Sequence, residues 1–360
     1  MDTGFLSLNT DQDIVKSGLH WLLGAPNITQ MASLQRFGVR TAGWVGCVAV
    51  TVALAACGSA VSSTAPSAPP RSQPETATPT TAGAASVPSV APAISVADEP
   101  WRIIPLDGDL AEVVFALGQG GDVVATDISA TYPPEADALP EIGYQRALAA
   151  EPIAEFEPTL ALATDIAGPP EVLDELERLG IDVVMIPTES SPQGPGDKIR
   201  AVAAALDISE VGEQLAADVD AAIDAAIERA RNAPSAPRIG VLYLRGENVQ
   251  LLFGTGTGVH WMIEAVGGVD IADELGVADT APINAEALVV AAPDVLIVTE
   301  RGLESVGGID GLLKISGIAA TPAGEQRRVL VYDDQLLLGN GPRTAELLQQ
   351  LITDLYRGAI

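Results

Sequence analysis

The chain has 360 residues and a formal net charge of −29, from 19 Lys and Arg against 48 Asp and Glu. That balance repels phosphate backbones and anionic membrane surfaces alike, so nucleic acid is excluded as a partner and so is membrane attachment through a basic patch. With only two cysteines and two histidines, the chain lacks the ligands for a structural zinc cluster and the pairs for a disulfide framework, and it has little with which to build Cys- or Ser–His-type catalysis.

Near the start, Arg36 and Arg40 precede an uncharged apolar run from Ala42 to Ala56 that ends in Leu54-Ala55-Ala56-Cys57-Gly58. A basic segment, a short apolar segment and small residues before a cleavage point make a secretory signal. The run is too short for a spanning helix, which needs about 20 apolar residues. Residues 1–30 have no place in such a signal, so Met31 reads as the start and the upstream stretch as a mis-assigned start or a disordered extension. Leu-Ala-Ala-Cys resembles the lipobox of bacterial lipoproteins. That resemblance implies a lipoprotein signal peptide over residues 31–56 and an acylated Cys57 that anchors the exported chain to the outer face of the cell membrane. His20 and Cys47 leave with the leader, and His260 is the histidine that remains. Residues 57–98 follow as a tether of Ser, Thr, Ala and Pro, a composition that buries no core.

The folded part reads as lobe, helix, lobe. Over residues 99–207, the short apolar runs Val123-Val124-Ala125, Leu160-Ala161-Leu162 and Val183 to Ile186 have the character of strands buried in a parallel sheet. Helical patterns lie between them, at Leu110 to Leu117 and at Pro170 to Leu179, the latter stopped by Gly180. Residues 208–234 form one long connecting helix, with Ser209 as its cap, Val211, Leu215, Val219, Ile223 and Ile227 recurring every fourth position, and Pro234 closing the segment. Residues 235–360 resume the alternation with Ile239 to Leu244, Val295 to Val298 and Val329 to Tyr332 as strands. The expected fold is α/β: two Rossmann-like βα lobes joined by a single long α-helix, with a ligand cleft between them.

A short internal repeat links the lobes. Ala150-Glu151-Pro152-Ile153 leads to Pro158 and a strand, and Ala285-Glu286-Ala287-Leu288 leads to Pro293 and a strand, with the glutamate equally far ahead of the proline in each.

The stretch from Arg102 to the C-terminus resembles the substrate-binding proteins of haem, cobalamin and ferric-siderophore ABC importers, and within them the haem-binding branch. The residues that carry the resemblance are Ile142-Gly143-Tyr144-Gln145-Arg146-Ala147-Leu148-Ala149-Ala150-Glu151, Leu242-Tyr243-Leu244-Arg245-Gly246 and Leu337-Leu338-Gly339-Asn340-Gly341-Pro342-Arg343-Thr344, where Asn340 replaces the usual aromatic. The resemblance implies a monomeric receptor without catalytic cofactor that carries haem as transported ligand. It puts a haem-iron ligand at Tyr144 with Arg146 beside it, and Tyr243 with Arg245 as a second ligand from the other lobe or as a plain strand tyrosine. It also makes Glu151 and Glu286 the contacts to the membrane permease subunits.

Elementary chemistry agrees on Tyr144, since a phenol titrates near pH 10 and a neighbouring cation helps it bind ferric iron as phenolate. Arg146, two residues along a strand or extended loop, shares its face, and a guanidinium suits a haem propionate. His260 follows the glycine-rich turn Gly254 to Gly258 at the start of a helix over Trp261 to Ala265, where the helix dipole favours the neutral, ligating ring; a structural role is the other reading. A ferric siderophore or cobalamin is the alternative cargo. A zinc or manganese receptor lacks histidines, and for an enzyme no nucleophile–base pair or carboxylate dyad stands out.

Overall fold

The computed structural model describes residues 101–357, so the expected signal peptide, Cys57 and tether lie outside the described residues. The first lobe contains β1 (Ile103–Pro105), α1 (Gly108–Ala116), α2 (Ala150–Ala154), β2 (Leu160–Ala163), α3 (Pro170–Arg178), β3 (Asp182–Met185) and α4 (Gly194–Ala205). Its sheet is parallel in the order β1-β2-β3, with Ile103 opposite Leu160 and Leu160 opposite Asp182. Gly180 takes a φ of 85° just past the end of α3, the left-handed geometry that lets a helix stop. The Val123-Val124-Ala125 run does not form a strand of its own. Val123 makes one isolated bridge to Ile103, and the chain then leaves the sheet at Thr126 to pair with Glu141.

The connecting helix α5 spans Ser209–Ala230, 22 residues or about 33 Å at the standard rise. Ser209 is its first residue and not its cap; Ile208 holds the cap position with no side-chain bond. The buried stripe is Gly212, Ala216, Val219, Ile223, Ala226 and Ala230. A strict four-residue step drifts about 40° per step around the helix, which carries Val211, at the end of the predicted row, out to 54 % exposure.

The second lobe contains β4 (Arg238–Arg245), β5 (Val249–Phe253), α6 (Gly258–Ala265), β6 (Val269–Asp270), β7 (Thr280–Pro282), α7 (Ala285–Ala291), β8 (Val295–Thr299), β9 (Val329–Tyr332), α8 (Asp334–Leu338) and α9 (Thr344–Tyr356). Its sheet runs β7-β5-β4-β8-β9 with β6 beside the start of β4. β8 and β9 run parallel to β4, whereas β5 and β7 are antiparallel additions at one edge. The hairpin from β4 to β5 turns at Gly246, whose φ is 61°.

The two lobes are built on one plan. β1-β2-β3 and β4-β8-β9 share order and direction, and α2 and α7 lead into the two central strands. Arg102, just before β1, donates from Nε to Glu157 O at the end of the α2 segment, and Arg238, at the start of β4, donates from Nε to Ala291 O at the end of α7. Each arginine thus satisfies carbonyls that a helix end leaves unpaired. A continuous apolar core containing Leu110, Ile199, Ile223, Val241 and Leu348 runs through α5 and joins both lobes. Among the described residues no helix is long and apolar enough to cross a membrane.

Candidate functional site

Tyr144 stands in a tight turn, not on a strand. Gly143 has a φ of 105°, a conformation that disfavours any side chain, and Ala147 N donates to Tyr144 O at 2.7 Å to close the turn. The backbone on both sides is tied down: Ile128 N donates to Gly143 O at 3.0 Å and Gly168 N to Gln145 O at 2.8 Å. Arg146, two residues along the same turn, favours the ionised form of the Tyr144 phenol.

In the other lobe, Tyr243 and Arg245 point the same way because successive residues of β4 alternate faces. The Arg245 guanidinium carbon lies 4.4 Å from the centre of the Tyr243 ring, and Phe253 meets that ring edge-on with centroids 5.6 Å apart. The two pairs are brought together: Tyr243 and Arg245 both act electrostatically on the Tyr144 phenol across the lobes. Burial, followed by the facing Tyr243, pushes the Tyr144 phenol above its ordinary value, and Arg146 and Arg245 offset this only in part. At neutral pH the ligand-free side chain is therefore a neutral phenol, and a metal that binds it must displace the proton.

Arg245 is anchored through both terminal nitrogens of its guanidinium. Its Nη2 donates to Asp334 Oδ1 at 2.8 Å and its Nη1 to Leu244 O at 2.8 Å. His260 is the third residue of α6, because the helix begins at Gly258, three residues before the expected start at Trp261. Its Nδ1 lies 2.9 Å from Asp270 Oδ2, and its Nε2 is 3.8 Å from Glu264. Glu151 and Glu286 are each the second residue of their helix, α2 and α7, and both are exposed. Cys57 lies outside the described residues.

The sequence reading missed a polar seam between the lobes. Glu112, on the buried face of α1, accepts from Arg343 Nη2 at 2.8 Å and Nε at 3.0 Å. Gln335 in α8 accepts from Thr131 N at 2.7 Å and Tyr132 N at 2.8 Å, and donates to Gly108 O at 2.7 Å. Lys198 in α4, 2 % exposed, pairs with Asp109 and donates to Gly339 O at 2.8 Å. Asn340, with a φ of 48° that asparagine tolerates better than an aromatic, donates to Glu189 O at 3.2 Å and so belongs to this seam. A glutamate within the apolar stripe of α1 was the available signal. A cavity of about 510 Å³ at the β3 edge, lined by Trp101, Leu160, Gly180 and Val184, contains none of the site residues.

A family model described as periplasmic binding protein matches residues 103–336. The periplasmic haem-binding protein RhuT from Roseiflexus sp. RS-1, in apo form, superposes with a TM-score of 0.71 and is 48 % identical, covering 73 % of this chain and 100 % of that one. The periplasmic haem-binding protein BhuT, solved in complex with two haems, is 34 % identical with a TM-score of 0.67, covering 72 % of this chain and 99 % of that one. Among curated proteins, the vitamin B12-binding protein of Vibrio cholerae serotype O1 is 26 % identical over 258 residues, 71 % of this chain and 88 % of that protein. An ABC transporter substrate-binding lipoprotein of Bacillus subtilis, YvrC, is 22 % identical over 268 residues, 73 % of this chain and 82 % of that protein.

Proposed function

The chain belongs to the periplasmic binding protein family, and from that premise we propose that it captures haem outside the cell membrane and hands it to the permease of an ABC importer. The coarser role, substrate-binding protein of an importer for ligands of the haem and cobalamin type, comes with the family and its relatives. The choice of haem rests on one observation: two Tyr-x-Arg pairs, Tyr144 with Arg146 and Tyr243 with Arg245, are close enough to influence each other from opposite lobes. Phenolate oxygen is a hard donor suited to ferric iron, and each arginine supplies positive charge where the phenol gives up its proton. The relatives of higher identity are haem-binding by name, which supports the same choice. His260 is assigned a structural part through Asp270.

Glu151 and Glu286, exposed at matching places in the two lobes, are the contacts offered to arginines of the permease. Export under a signal peptide over residues 31–56, a lipid on Cys57 and a tether over residues 57–98 hold the receptor, as a monomer, at the outer face of the cell membrane; the likeness to a lipoprotein supports this. Cobalamin is the second reading of the cargo, favoured by the curated relatives' names. Titration of the purified protein with hemin is expected to give tyrosinate-type charge-transfer bands that Tyr144→Ala loses. Unchanged bands in that variant would remove Tyr144 from the site. A rise in melting temperature with cobalamin and none with hemin would replace the cargo.

A further inference from the structure

Arg245 lies over the Tyr243 ring, and its guanidinium is anchored at both ends. Both terminal nitrogens are bonded to the protein, Nη2 to Asp334 Oδ1 at 2.8 Å and Nη1 to Leu244 O at 2.8 Å, while the guanidinium carbon lies 4.4 Å from the Tyr243 ring centre. Each terminal nitrogen keeps a second N–H, so these two bonds fix the plane and place of the guanidinium without exhausting its donors. Asp334 is itself fixed. Its Oδ2 accepts from Arg301 N at 3.1 Å, its side chain is 15 % exposed, and it opens α8, which is capped by Asp333 accepting from Leu336 N at 2.9 Å.

The next residue, Gln335, plugs into the other lobe through Gly108, Thr131 and Tyr132. The first turn of α8 therefore presents one side chain to each lobe, and Asp334 holds Arg245 in a frame that is referenced to the lobe carrying Tyr144.

We propose that Asp334 is a positioning residue that fixes the Arg245 guanidinium over the Tyr243 ring, so that the cation serves the phenol that meets the cargo. A cation held at a ring face stabilises negative charge developing on the phenol oxygen, and a pinned side chain spends no further entropy when the ligand arrives. Without Asp334, Arg245 regains its rotamers and its charge is shared among Tyr243, solvent and ligand.

The inference rests on the haem-capture reading, and a double-mutant cycle tests it. Wild type, Asp334→Ala, Arg245→Ala and the double variant are titrated with hemin, followed by their visible spectra and by the rate of hemin loss to excess apomyoglobin. Each single variant is expected to displace the tyrosinate charge-transfer band in the same direction and to speed hemin loss about 10-fold, the scale seen when the partner that orients a metal ligand is removed. The double variant is expected to be no faster than Arg245→Ala alone, because Asp334 acts only through Arg245. Additive effects would assign Asp334 to Arg301 and the helix it begins, and would overturn the proposal. Asp334→Asn, which keeps an oxygen for Arg301 N without the charge, serves if the alanine variant does not fold; it is expected to show the band shift in part, and a wild-type spectrum would count against the idea. If wild type itself gives no tyrosinate bands, haem capture falls and this inference with it. If wild type binds and the variants match it, the inference alone falls.

Discussion

Beneath the turn that carries Tyr144 sits a buried acid whose environment opposes its charge. Asp127 is 1 % exposed, accepts from Ser129 Oγ at 2.7 Å, and leaves Oδ2 without a partner. Burial is the main cause that pushes its carboxyl up to about 7, and nearby Asp109 adds to it, while Ser129 and the Gln145 backbone N–H pull the other way. In the unfolded chain the same group titrates near 3.8. Between these values the native state binds the extra proton, so the protein loses stability as pH rises from about 4 to about 7, by a few kcal/mol at most. Asp127→Asn has no proton to lose. The gap in melting temperature between the variant and wild type is expected to widen in the variant's favour across that window and to stay level above it; parallel curves would refute the assignment. Such a group was invisible in the sequence because an aspartate in a loop reads as solvated. Tyr144 and Tyr243 were legible because a Tyr-x-Arg spacing is local. Asp334 and Gln335 were not, because their meaning comes from partners 89 and 204 positions away.

Helix α5 shows how packing decides what periodicity only suggests. Its apolar residues predicted a long helix, yet four of the six positions on its buried face are Gly or Ala, and Gly212 lies so close to α4 that a Cβ there would overlap the Cβ of Ala203. On propensity alone Gly212→Ala should strengthen a helix interior by up to about 1 kcal/mol. The contact reverses the sign, since forcing a methyl into a filled interface costs about 1–3 kcal/mol. Gly212→Ala is therefore expected to lower the denaturation midpoint, and adding Ala203→Gly to recover most of the loss; a gain in the single variant would show that the two helices can separate. The strands β2, β4 and β8 were legible as apolar runs because they are buried on both faces, and β9 as one although its Val331 faces solvent. β5 and β7 were missed although Gly246-Glu247-Asn248 between two apolar runs is a hairpin signal, because the reading of the lobe as alternating strands and helices left no place for consecutive strands.

At the scale of the molecule, the spacing of the two tyrosines depends on how the lobes are set against each other, and that setting is made by charged and polar side chains as well as by apolar core. Glu112 is 6 % exposed in its side chain and Arg343 18 %, and the pair is bidentate at 2.8 and 3.0 Å. A buried pair of this kind adds little net stability over an apolar pair of the same volume, because desolvation offsets the attraction, but removing one partner strands the other charge at a cost of about 3–5 kcal/mol. Glu112→Ala is accordingly expected to lower the melting temperature by roughly 10 °C, at about 2–4 °C per kcal/mol for a chain of this size. The double replacement Glu112→Leu with Arg343→Met strands no charge and is expected to melt within a few degrees of wild type. Stability and geometry then part company. Apolar side chains fill the seam in more than one arrangement, whereas the bidentate pair, with Gln335 and Lys198 beside it, admits one orientation of the lobes. The double variant should therefore fold well and still release hemin several-fold faster than wild type, as measured by transfer to apomyoglobin. A double variant that matches wild type in both melting temperature and hemin release would mean that the apolar core through α5 sets the lobes unaided.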